Sequence, residues 1–183
     1  SMTVEQAVEP DSYEVDLAVS GPEGWSFSRN EVARLLSKLD QYSVSLKEYT
    51  GDRIFMGVKS GLSEAFVIDG QTRSSILAEN PEAAEIIKPF VNGRDIRRYF
   101  MSSHDSWLIY TYHSVPISRF PAVQKHLRTY KQKLMKRATK QAWYELQQPQ
   151  FAFSTYLAQP KIIFPDIAKS LRFALDVEGH FGA

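Results

Sequence analysis

Between Asp105 and Glu145 the chain carries no acidic residue, and inside that stretch Phe120, Val123, Leu127, Tyr130, Leu134 and Ala138 recur at three- and four-residue steps. Apolar side chains at that spacing form one stripe on a helix, which must be buried against another element. Pro121 suits the first turn, where a missing N–H costs no helical bond. The pattern therefore predicts the longest helix of the chain, from Pro121 to about Gln141. The rest of its surface carries Lys125, Arg128, Lys131, Lys133, Lys136, Arg137 and Lys140. No acid stands four residues away to neutralise any of them.

The net charge of +1 hides this segregation. Residues 1–30 hold Glu5, Glu9, Asp11, Glu14, Asp16 and Glu23 against the single base Arg29. An acidic arm and a basic helix thus share one chain. A nucleic-acid backbone would neutralise the basic helix with release of counterions. The bland alternative is a solvated helix face whose counter-charges come from elsewhere, the acidic arm included. A membrane-surface helix fits less well, because the apolar stripe is narrow and suits a core contact.

Cysteine is absent, so disulfides, thiolate metal sites and cysteine nucleophiles are excluded, and a reducing cytoplasmic setting is expected. Hydrophobic residues make up 43% and charged residues 23% of the 183, enough apolar matter for a buried core. No apolar run approaches the roughly 20 residues of a membrane helix, so no membrane partner is expected. Ser1-Met2 reads as a tag scar before an engineered start, and Glu178–Ala183 follows strand-like sequence without a natural stop. The chain is expected to be a piece of a longer protein.

Tyr13, Val15, Leu17 and Val19 alternate, which suggests a strand running into Gly21-Pro22. Ser28 and Glu31 match a capping box ahead of Val32, Leu35, Leu36 and Leu39, so a helix is expected over 29–40. Ser45–Tyr49 reads as extended. Arg53–Val58 and Ala65–Asp69 read as a hairpin across Lys59-Ser60-Gly61. Pro81 opens a short helix to Ile87, closed before Pro89. Asn92-Gly93 signals a turn, and Trp107–Tyr112, Lys161–Phe164 and Leu171–Val177 read as strands. The expected fold is a mixed α/β (α+β) domain over 28–183, mostly antiparallel and with one long basic helix, preceded by an acidic arm or linker over 1–27.

A second basic cluster surrounds the Asn92-Gly93 turn, where Arg94, Arg97 and Arg98 lie beside Asp95. Arginine forks suit phosphates and guanine edges, although Asp95 could pair with one of them and pin the turn. Lys59 and Ser60 could present an anion site, and Tyr110, Tyr112, Trp143 and Tyr144 could stack on bases or simply pack at the core edge. No catalytic pattern is visible in the sequence. There is no phosphate loop and no G-x-G-x-x-G. His104, His113, His126 and His180 have no metal-ligand spacing and are expected at the surface. Pro165-Asp166 and Pro10-Asp11 lack the acid-x-Lys partner of a metal-dependent nuclease. No catalytic residue, cofactor site or metal site is expected in this chain.

Several segments together resemble a known family. They are Ile54–Asp69 (IFMGVKSGLSEAFVID), Ile87–Tyr99 (IKPFVNGRDIRRY), Phe120–Leu127 (FPAVQKHL), Arg137 ahead of Trp143-Tyr-Glu-Leu146, and Pro160-Lys-Ile-Ile163. In this order they resemble the TaqI-like C-terminal specificity domain of bacterial restriction-modification methyltransferases. That group includes fused endonuclease-methyltransferases of type II restriction enzymes and phage-exclusion methyltransferases. The resemblance implies a target recognition domain that binds double-stranded DNA opposite a methyltransferase domain of the same parent chain. The parent would methylate an extruded adenine at N6 with S-adenosylmethionine and, if it is of the fused kind, would also cut DNA. The Asn-Pro-Pro-aromatic motif and S-adenosylmethionine loop of such an enzyme are absent from this chain, so methyl transfer is not assigned to it.

The residues expected to contact DNA are Lys59, Ser60, Arg94, Arg97, Arg98, Lys125, Arg128, Lys133, Lys136, Arg137, Lys140, Gln147 and Gln148. Phosphate contacts by the cations would set orientation. Loop side chains near Ser102–Ser106 and Gln147–Tyr156 would then read base edges. The rival expectation is a protein–protein interaction module, in which the basic helix docks on the acidic arm, on the methyltransferase or on another subunit.

Overall fold

The computed structural model describes Tyr13, residues 29–102 and residues 105–182. The chain divides into two compact units, residues 1–54 and 55–183. The arm expected over 1–27, its strand and Ser28 of the expected capping box lie outside the described residues. In the first unit, α1 spans Asn30–Tyr42 and α2 spans Leu46–Tyr49. Arg29 stands at the cap position of α1 without a side-chain cap, whereas Ser45 caps α2 by accepting from the Glu48 N–H at 3.1 Å. The stripe Val32, Leu35, Leu36 and Leu39 gives α1 its helical period, yet all four side chains are about half exposed.

The second unit is built on a four-stranded sheet in the order β1 (Val67–Asp69), β5 (Ser106–Ile109), β2 (Ile87–Val91), β8 (Phe181–Gly182). β5 pairs antiparallel with both neighbours, and only β8 runs parallel to β2. Two small antiparallel pairs flank it, β3–β4 (Ile96–Arg97 with Phe100–Met101) and β6–β7 (Lys161–Ile163 with Ala174–Asp176). The fold is mixed α/β with predominantly antiparallel pairing.

Helices cover the sheet: α3 (Ser63–Phe66), α4 (Gly70–Glu79), α5 (Pro121–Arg128), α6 (Lys131–Leu134) and α7 (Ser154–Leu157). Phe66, Phe120, Val123, Leu127, Leu108 and Ile109 are almost wholly removed from water. Each such aliphatic or aromatic side chain stabilises the unit by about 1.5–3 kcal/mol. The stripe read from the sequence is therefore the core contact as far as Leu134, and Ala138 lies outside it, exposed.

The single helix expected over 121–141 is not formed. It breaks at Thr129-Tyr130, where N–H groups bond back three residues, Thr129 to His126 and Tyr130 to Leu127, and it ends at Leu134. The Thr129 hydroxyl takes the His126 carbonyl at 2.7 Å and the Arg137 Nε takes that of Leu134 at 3.0 Å. Both side chains divert carbonyls from helix continuation, in a run whose cations gain no i,i+4 partner. The longest described helix is α1 instead.

Other local expectations change where a distant partner wins. The 53–58/65–69 hairpin is replaced by contacts to the C-terminal half. Lys59 exchanges two backbone bonds with Gln148, each of 2.9 Å, and the Val58 N–H bonds to the Gly182 carbonyl at 2.8 Å. Residues 63–66 turn helical, which buries Ala65 and Phe66 completely, and only Val67–Asp69 join the sheet. Pro89 does not stop a helix; Pro81–Glu85 form a 3₁₀ turn and Pro89 sits inside β2. Only β5 runs alongside Pro89, since β8 joins from Phe90, so one edge there has no ladder bond to lose. Helix α4 has no apolar period, but Asp69 caps it by accepting from the Thr72 N–H at 2.8 Å. That bond holds the Asp69 carboxyl below its ordinary value.

Candidate nucleic-acid interface

Arg137 ties together three loops of the second unit. All five N–H donors of its guanidinium are engaged with backbone carbonyls. Nε reaches Leu134 at 3.0 Å, Nη1 reaches Ser60 at 3.1 Å and Glu145 at 2.8 Å, and Nη2 reaches Trp143 at 2.9 Å and Ala142 at 3.4 Å. The group also lies over the Phe66 ring, 5.6 Å from its centroid. Burial draws its pKa down, opposed by the Glu145 charge. The expectation that Arg137 contacts DNA is corrected here: its donors are already spent on the protein's own backbone.

Glu145 completes the tie from the other side. Its buried carboxylate accepts from the Ser114 N–H at 2.7 Å and the Ala142 N–H at 3.2 Å, and pairs with His113 Nδ1 at 3.2 Å. Together with the Lys59–Gln148 bridge, these bonds bring the 59–61 turn, the 135–142 loop and the 147–150 loop into one surface. Gly61 sits at its centre with φ +74°, and a Cβ there would meet Gln147 Oε1 at 2.8 Å. Lys59, Lys136, Lys140 and Gln148 project from this surface and are exposed, whereas Gln147 is half-buried. Ser60 is half-buried and its hydroxyl lies 3.3 Å from that of Ser63. Among the described residues none of the three lysines has an ion-pair partner.

The remaining cations of the acid-free run are placed differently. Lys125 pairs with Glu79 at 3.1 Å, Lys133 with Glu64 at 2.7 Å, and Arg119 with Glu82 and Glu85. The Glu64 hydrogen bond and charge raise the Lys133 pKa. The counter-charges missing from the sequence neighbourhood thus arrive from residues 64–85. All these pairs are exposed, where water and salt screen them and their contribution is small. Arg128 is exposed, and Lys131 lies over the Trp143 ring at 5.4 Å.

The arginine turn is a separate patch. Arg94, 84% exposed in its side chain, stands 4.0 Å from Asp95 and lines a shallow recess with Asn92, Asp105 and Ser106. Arg97 folds back onto the carbonyls of Arg94 and Ile96, and Arg98 lies over Tyr99 at 5.2 Å. The structure therefore joins Arg94 to Asp105 and Ser106 but engages Arg97 internally, while Ser103 and His104 of the expected 102–106 loop lie outside the described residues.

Of the histidines expected at the surface, His113 is exposed, His126 and His180 are used in packing, and His104 lies outside the described residues. His126 is half-buried with Nε2 3.1 Å from the Ala65 carbonyl, and burial lowers its pKa although that bond opposes the shift. His180 bonds to Asp176, which is fully buried and also holds Lys161. Burial raises the Asp176 pKa, but the hydrogen bonds from His180 and Lys161, the Lys161 charge and the Glu178 N–H outweigh it and hold the carboxyl below its ordinary value. Among the described residues no group of three or more His, Asp or Glu is arranged to hold a metal, and no helix is long and apolar enough to cross a membrane.

Of the aromatics weighed for stacking, Tyr110 is buried and Tyr112, Trp143 and Tyr144 are half-buried at the core edge. Rings beyond that set are exposed, among them Phe151, Phe153 and Tyr156. Their signal in the sequence was present, since residues 146–165 contain no acid and three closely spaced aromatics. The chain matches no protein-family model and no curated protein.

Proposed function

We propose that this chain is the DNA-recognition domain of a restriction-modification adenine-N6 methyltransferase, with catalysis and S-adenosylmethionine binding in another domain of the parent. The observation that carries the reading is that Lys59 pairs with Gln148 of the Gln147–Gln148 loop, while Arg137, between Lys136 and Lys140 in the chain, bonds to the Ser60 carbonyl. Lys59 is far from Lys136, Lys140, Gln147 and Gln148 in sequence, and all five stand on loops held rigid by Arg137 and Glu145. Unpaired lysines with the exposed Gln148 amide suit a duplex, the cations on phosphates and the amide at a base edge. The resemblance of the ordered segments to the TaqI-like specificity domain supports the same reading and adds the methyltransferase context. Some residues that carry the resemblance, Arg137 and Trp143–Leu146, are the ones that hold the loops in place. They act as frame, leaving Lys59, Lys136, Lys140 and Gln148 as the DNA contacts.

Fluorescence anisotropy with a labelled duplex tests this. Binding should weaken steeply with salt, and reversing Lys59, Lys136 and Lys140 to Glu should lower the log–log salt slope by about one per phosphate contact removed. Duplex binding that is absent at low salt, or indifferent to salt, would refute the reading. A second reading, a protein–protein interaction module, draws on the exposed apolar stripe of α1. Stable association with another protein and no affinity for DNA would favour it.

A further inference from the structure

Phe151 is 57% exposed, yet it is among the best anchored rings on the surface. It stacks on Tyr112 with centroids 4.6 Å apart and planes at 29°. Tyr112 lies 6.1 Å from Tyr110, and Tyr110 meets the buried Phe181 edge-on at 4.9 Å. An aromatic ladder thus runs from the sheet core to the surface and ends at Phe151. Tyr110 also fixes the approach to the ring, since its hydroxyl donates to the Pro149 carbonyl at 2.8 Å. Gln150 then turns the chain with φ +53° into the 3₁₀ turn Phe151–Phe153. A ring held on one face by Tyr112 and largely exposed has its other face available to a planar ligand.

The surroundings select the kind of ligand. From Gln147 to Gln159 the exposed and half-exposed side chains are aromatic, amide, hydroxyl or alanine, and none is charged. Phe153 and Tyr156 add two further part-exposed rings, both stacked on Phe55 at 4.5 and 5.1 Å. The backbone bridge to Gln148 brings the free cation Lys59 alongside. Protein interfaces also use aromatic rings, but with methionine and arginine enriched beside them, and neither occurs between Gln147 and Gln159. Flat rings, neutral amides and a nearby lysine fit a nucleobase, which has a π face, polar edges and an attached phosphate.

We propose that Phe151 is a stacking platform for a nucleobase outside the double-helical stack, in single-stranded or locally opened DNA. The flanking glutamine amides stand where base edges would lie, and Lys59 serves the backbone. The inference rests on the DNA-recognition reading and adds to it a preference for unpaired bases.

The test uses the full chain and three probes of one sequence: a fully paired duplex, the same duplex with a central mismatched bubble, and a single strand. Anisotropy should show tighter binding to the opened duplex. Phe151→Ala should lose about 5- to 100-fold of affinity for the opened and single-stranded probes, with binding to paired DNA nearly unchanged. Phe151→Trp should retain the preference. With unaltered protein, photocrosslinking to 5-iodouracil in the bubble should map to Phe151. Equal binding of paired and opened DNA, or crosslinks confined to other segments, would overturn the platform and leave DNA recognition standing. Binding to none of the three probes would overturn both.

Discussion

Replacing Arg137 with alanine separates a structural tie from a phosphate contact. The substitution removes four hydrogen bonds of 2.8 to 3.1 Å and a fifth of 3.4 Å, all to backbone carbonyls at the end of α6, in the 59–61 turn and in residues 142–145. A hydrogen bond to a charged group contributes about 1.5–3 kcal/mol, but these do not add, and the freed carbonyls in a half-buried site regain water. A net loss of about 3 kcal/mol follows, comparable to breaking a buried charged contact. For a chain of 183 residues this lowers Tm by roughly 6–12 °C, at 2–4 °C per kcal/mol. Urea unfolding followed by tryptophan fluorescence and by calorimetry measures it, with Trp143 reporting directly on the tied loop. Arg137→Lys keeps the charge but loses the fork, and should recover less than half of the loss. If Arg137→Ala instead melts within about 1 kcal/mol of the parent while the salt slope of DNA binding falls by about one, the side chain is a phosphate ligand and the tie is wrong.

Three further outcomes follow from the same geometry. Gly61→Ala places a Cβ against Gln147 and Arg137 at a positive φ, so it should destabilise by about 1–3 kcal/mol and weaken DNA binding by displacing the Lys59 turn; an unchanged Tm would show that the turn relaxes freely. Burial raises the Tyr110 pKa to about 12, with a further contribution from Tyr112 that a Ser154 hydrogen bond opposes. A raised folded-state value means that stability is intact below the unfolded value near 10 and is lost as pH rises toward 12, so ultraviolet titration should show one tyrosine ionising late, together with unfolding, and Tyr110→Phe should remove it. Asp176 has a lowered folded-state value, so its contribution is present above the unfolded value near 3.9 and is lost as pH falls below it; Asp176→Asn should flatten the acid limb of a stability–pH curve and leave Lys161 without its counter-charge.

The candidate interface was partly legible. Lys136, Arg137 and Lys140 were singled out by charge and by the lack of neighbouring acids, Lys59 and Ser60 as an anion-binding turn, and Gln147 and Gln148 by their amides. Their roles were not, because an arginine on carbonyls and one on phosphates look alike in sequence. Phe151 was hidden for a related reason: aromatic residues are read as core by default, and its 57% exposure follows from the ladder beneath it.

What the sequence determined by itself is local and periodic. The Phe120–Leu134 stripe is buried, α1 forms where Val32 to Leu39 recur, β6 and β7 lie inside the runs of strand-forming residues and β5 overlaps its run. These properties depend on neighbours within a turn or two, which the chain states directly. The tertiary structure decided the rest. Lys59 pairs with Gln148 rather than across its own turn, Pro89 enters a strand, the long helix breaks after Arg128, and Glu64, Glu79 and Glu85 neutralise cations they never adjoin in sequence. Each outcome is a competition between a local preference of about 1 kcal/mol and the burial of several side chains at once. The larger sum prevails, and it exists only when the whole unit has closed.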